Sequence, residues 1–182
     1  MNEVILIAHG SIDGVGDFWN GVYHPLRCPA HLLVLAGMAL FAGQRARFKN
    51  PMMAFLGAAV VGLFLTQLPG VPELPSVVPA AVAAVLGVLV ALRKSLPQVL
   101  GIGLFAIGGL SLGWDSAPEQ GSGWVVFKLL LGTWTGLALL SLNLVHYAAM
   151  VPKRPLLKVG FRVLGSWACA ISALNLALTL RK

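Results

Sequence analysis

Residues His24–His31 read HPLRCPAH and stand between a polar amino-terminal stretch and the first long apolar run, Leu32–Gly43. Two of the four histidines, one of the two cysteines and an arginine fall within this short stretch. On an unbroken helix His24, Cys28 and His31 occupy i, i+4 and i+7, which is one face. Imidazole and thiolate are ligands suited to nickel, copper or zinc. Two prolines oppose such a helix, because Pro25 and Pro29 each disfavour helical backbone at the residue before them. In the alternative a helix begins at Pro29, with Cys28 as its cap and His24 in a loop. That makes the stretch a polar cap on a kinked membrane helix. Even a straight helix holds the two histidines ~10 Å apart. His24 with Cys28, or Cys28 with His31, are then the pairs able to share an ion.

Working outward, the chain is too apolar for a soluble domain: 182 residues, 58% hydrophobic and 10% charged, with mean hydropathy +0.85. Apolar runs of ~20 residues recur along it, the pattern of a polytopic helical membrane protein. A net charge of +7 raises the question of nucleic acid. The basic residues fall in short clusters between the apolar runs, as topology determinants do, so no nucleic-acid partner is expected. Cys28 and Cys169 lie in or beside apolar segments and do not form a disulfide framework. Met1–Ala8 carries Glu3 where a signal peptide has positive charge, and its apolar run is too short for one.

The expected fold is all-α with six transmembrane helices. Residues 1–23 form a polar tail and residues 24–182 the membrane domain. The spans are Pro25–Gly43, Pro51–Gln67, Val77–Leu92, Leu96–Gly113, Val125–Val151 and Val159–Leu180. The loops after spans one, three and five hold Arg45, Arg47, Lys49, Arg93, Lys94, Lys153, Arg154 and Lys158, while all six acids lie on the other side. Basic loops stay cytoplasmic, so both termini are expected outside. Trp19, Trp114 and Trp124 then become anchors at the outer interface. Gly109 and Gly113 in the fourth span, with Gly132 and Gly136 in the fifth, predict close antiparallel packing of those two helices.

Ionisable groups inside spans are functional candidates. Lys128, one turn into the fifth span, is expected to form an ion pair with Asp115 or Glu119. Arg27 is placed to pair with an acid of the outer loops, and Arg162 to snorkel to the cytoplasmic surface. His146, with Asn143 three residues before it, is either a second ligand or a helix-packing histidine bonded to a backbone carbonyl. Its depth differs from that of His31 by more than ~10 Å, which opposes a shared ion or a bis-histidine haem. No carboxylate falls inside a span, and Arg27 and Lys128 would repel a cation at the outer mouth. Both features favour a small accessory subunit over a cation permease. The acids are confined to outer loops, so serine–histidine–acid catalysis has no basis and no enzyme is expected.

The His24-Pro25…His31 spacing at the first span resembles the signature of the HupE/UreJ family of bacterial membrane proteins, His-Pro-x-x-Gly-x-Asp-His. GLSLGWDSAPE (Gly109–Glu119) and FRVLGSWACAISAL in the last span are also similar to a divergent branch of it. Cys28 stands where the family has glycine, and Ala30 where it has an aspartate that would ligate a cation. No second histidine-rich motif, of the kind its nickel-transporting members carry, is present. Members accompany hydrogenase or urease systems, and some are nickel or cobalt permeases. The resemblance implies a multi-pass protein of the bacterial inner membrane with periplasmic termini. Its function would be transport or delivery of nickel or another transition ion, with His24, Cys28 and His31 as ligands. The alternative is an accessory subunit of a larger membrane metalloenzyme complex, or a homo-oligomer, that transports nothing.

Overall fold

The computed structural model describes residues 12, 14–44, 49–118, 123–151 and 155–180. These form seven helices: α1 Asp17–Arg27, α2 Pro29–Gly43, α3 Lys49–Leu65, α4 Val77–Ala91, α5 Gln98–Trp114, α6 Gly123–Met150 and α7 Pro155–Leu180. The described residues contain no strand. The part of the expected tail from Asp17 onward is therefore helical. α1 starts after Gly16, whose φ of 76° suits glycine, and carries Asp17 in its first turn, where the helix dipole favours an acid. The Asn20 side chain bonds both backbone groups of Ile12, at 2.7 and 3.1 Å, and pins the approach to the helix.

The two prolines behave differently. Pro25 lies inside α1, and His24 stays helical. Cys28 is extended (φ −94°, ψ 110°), as the residue before a proline prefers, and Pro29 opens α2 at the position where its missing N–H costs nothing. α1 and α2 are bent by 69° at this break.

α2 is the central helix. Val34, Leu35 and Met38 are almost wholly buried, as is Phe41. α2 packs on α6 on one side and α4 on the other, while the strongest pairings elsewhere are α3 with α5, α4 with α7 and α1 with α6. Side chains from one helix also bond backbone carbonyls of another. Gln44 Nε2 donates to Val90 O at 3.1 Å, Trp134 Nε1 to Leu56 O at 3.2 Å and Arg162 Nε to Ala91 O at 3.0 Å.

Glycine sets these close approaches, though not between the helices expected. Gly109 and Gly113 face the Phe55 and Ala59 carbonyls of α3, and Gly132 and Gly136 face the Phe18 and Val22 carbonyls of α1. Both small-residue pairs do hold helices together, but α5 and α6 are not each other's partners. A short loop brings helix ends together without forcing their faces to pair. The ion pair changes for the same reason. Because α6 lies along α1, Lys128 Nζ sits 3.7 Å from Asp17 and 5.7 Å from the Trp124 ring centre. Asp115 is engaged elsewhere, and Glu119 lies outside the described residues.

α6 and α7 are long and apolar enough to cross a membrane, and α1 with α2 make a third span if the bent pair counts as one. α3, α4 and α5 are apolar but have 17, 15 and 17 residues, below the ~20 that a full crossing takes. The layout is that of a helical membrane protein.

Gly109→Ala is expected to destabilise the fold by about 1–3 kcal/mol, because its methyl group meets the Phe55 backbone. Gly103→Ala, where nothing lies within 4 Å of the added carbon, should not lower the unfolding temperature in detergent. Lys128→Met should cost less than about 1 kcal/mol in the same measurement, since both partners of its ion pair are well exposed.

Candidate functional site

The break at Cys28 builds the site. Cys28 gives its carbonyl to Leu32 N at 3.2 Å as the first bond of α2, and its thiol lies beside the first turn of that helix. His31 is in that turn and fully buried. Across from it α5 ends at Trp114, and Asp115 caps the helix with its N–H on Ser111 O at 2.9 Å. A carboxylate at a helix C-terminus is disfavoured by the dipole. Asp115 is compensated by the neighbouring helix start, with Oδ2 lying 2.9 Å from His31 Nε2.

Cys28, His31 and Asp115 thus offer sulfur, nitrogen and oxygen donors that all lie within 4.8 Å of one another. His31 Nδ1 has no hydrogen-bond partner among the described residues although it is buried. Bonds of ~2.0–2.3 Å place the donors of a tetrahedral shell ~3.3–3.8 Å apart, so small side-chain rotations would close these three on one ion. A thiol and an imidazole select d-block ions over calcium or magnesium, which take all-oxygen sets.

His24 is half-buried near the end of α1, with its ring centre 5.2 Å from that of His31 in an edge-on arrangement. The ~10 Å separation expected of a straight helix does not hold, because the bend folds one histidine back toward the other. The structure therefore groups His31 and Cys28 with Asp115 and leaves His24 at the edge. Arg27, also in the last turn of α1, makes no ion pair among the described residues. His146 is exposed on α6, edge-on to Tyr147 with ring centres 5.9 Å apart, and lies outside the donor cluster. Asn143 bonds the Leu139 carbonyl of its own helix at 2.7 Å.

Sequence reasoning missed Asp115 as a member of this site by assigning it to Lys128. The available signal was its position, an acid directly ending the apolar run of α5.

Residues 2–176 match the family described as HupE / UreJ protein. Comparison with curated proteins and with solved structures returned no match. With a match over nearly its whole length, and with His24, Pro25 and His31 standing at the bend that forms the site, the chain belongs to the HupE/UreJ family.

Proposed function

We propose that this protein binds a transition-metal ion at Cys28, His31 and Asp115 and transports or delivers it across the bacterial inner membrane. The ion is the cargo, and nickel, cobalt, copper and zinc are the class these donors suit. One observation carries the reading: a fully buried histidine meets a thiol from its own helix start and a carboxylate 84 residues away. Burying such polar groups is costly, and bringing three of them together at one place offsets that cost only if they serve one another or a shared ion. Family membership supports metal handling. Ala30 removes the family's usual carboxylate, and Asp115 offers one from α5.

The six-span arrangement with both termini periplasmic belongs to this proposal. The charge asymmetry of the loops supports it. The short α3, α4 and α5 are compatible with it, since mismatch with the bilayer costs only fractions of a kcal/mol per Å. The chain does no covalent chemistry in this reading. The accessory-subunit alternative draws on the outward apolar faces of α7, where Trp167, Leu174 and Leu178 are each more than half exposed. Lipid accounts for those faces equally well.

Protein purified in mild detergent without chelator should hold about one nickel, cobalt or zinc ion per chain by elemental analysis. His31→Ala should abolish binding, and Asp115→Asn should weaken it about 10- to 100-fold. Substoichiometric metal that ignores the His31 change would transfer the assignment to the accessory subunit. Reporter fusions at Lys182 should give a periplasmic signal and those at Lys94 a cytoplasmic one. A cytoplasmic signal at Lys182 would overturn the topology.

A further inference from the structure

The donor cluster is closed on most sides. His31 is 0% exposed and Cys28 7%, whereas the Asp115 side chain keeps 12% of its surface. Asp115 also lines a cavity of about 570 Å³ between residues 73–76 and the end of α5. Glu73, Trp114, Asp115, Ala117 and Pro118 line it. The segment is tied to the end of α5 by a specific bond, Trp114 Nε1 to Pro72 O at 3.1 Å, and Glu73 is the next residue. Trp114 in turn precedes Asp115, so this bond ties together the two stretches that bring Glu73 and Asp115 to the cavity.

Resting on the ion site proposed above, we infer that this cavity is the mouth through which a hydrated divalent cation reaches Asp115, and that Glu73 recruits it. An ion with six waters needs roughly 180 Å³ at ~30 Å³ per water, which the cavity accommodates without prior dehydration. Glu73 is exposed and adds negative charge to the lining, where it attracts a cation through solvent. Asp115 is both a wall of the cavity and a member of the donor cluster. The ion therefore exchanges water for the Asp115 carboxylate first, and then meets His31 and Cys28 in the buried part. Of the two cations expected to oppose this approach, Lys128 is balanced by Asp17 against α1, while Arg27 makes no ion pair among the described residues and is the charge that the two carboxylates must outweigh. Glu73 is a positioning residue in this scheme and not a ligand of the bound ion.

Stopped-flow mixing of the full chain in detergent with cobalt(II) tests this, following the thiolate-to-cobalt absorption that Cys28 supplies. Glu73→Gln should slow association about sixfold at low ionic strength, the factor one unit charge gives a divalent ion at roughly 8 Å in water, and Glu73→Lys more. The difference should fade in 0.5 M salt, as a screened effect must, while the final spectrum stays that of the wild type. Ala117→Trp, which fills the cavity, should slow association at every salt concentration. Wild-type rates in all three variants would overturn the mouth and leave the ion site standing. A final spectrum altered by Glu73→Gln would make Glu73 a ligand and overturn its recruiting role. Absence of any cobalt–thiolate band in the wild type would remove the ion site itself, and with it this route.

Discussion

Pro29 disfavours helical backbone at Cys28, which is extended, and much of the architecture rests on that local constraint. The extended backbone at Cys28 turns α1 away from α2 by 69°. α1 can then lie along α6, where Gly21, Gly132 and Gly136 let the two backbones approach closely. α2 is freed to run through the centre of the bundle with Val34, Leu35 and Met38 buried in it. The same turn gathers His24, Cys28 and His31 in a corner, where a straight helix would have spread them over two turns.

Electrostatics makes that corner intelligible. α5 delivers Asp115 at its negative end, where an acid is disfavoured, and α2 presents its first turn to the same carboxylate, where an acid is favoured. His31 sits between these effects with one ring nitrogen on Asp115 and the other without a hydrogen-bond partner among the described residues. A packing histidine normally satisfies both its nitrogens, because an unmatched buried polar atom costs about 1–3 kcal/mol. An apolar residue at position 31 would have avoided that cost.

Much of the fold was legible in the sequence for simple reasons. Apolar runs bounded by basic loops mark the helices, and Gly109, Gly113, Gly132 and Gly136 do lie at close helix contacts. Their partners were not legible, since a glycine pair permits approach without naming what approaches; adjacency in the chain pointed to α5 with α6, and packing chose α3 and α1. α1 was hidden because its charge and aromatic content read as an interfacial tail. In the site, Cys28 and His31 could be found from residue type and spacing. Asp115 could not, since its role depends on two helix ends meeting, and the nearby Lys128 offered a simpler partner. Lys128 in fact meets Asp17, which the choice of α1 as the neighbour of α6 decides.

The departure from the family motif at Ala30 bears on how such a site would work. An aspartate at that position would place carboxylate and imidazole on consecutive residues of one helix, where no motion of the bundle separates them. With the carboxylate on Asp115, the donors belong to two elements that meet at their ends, α5 otherwise packing chiefly on α3. Binding energy is then divided across a contact between helices, and shifting the end of α5 relative to α2 removes one donor while Cys28 and His31 stay in place. A protein that only stores an ion gains nothing from that division. One that must take up an ion on one side and release it needs affinity that falls when the structure moves, and donors split between helices supply it.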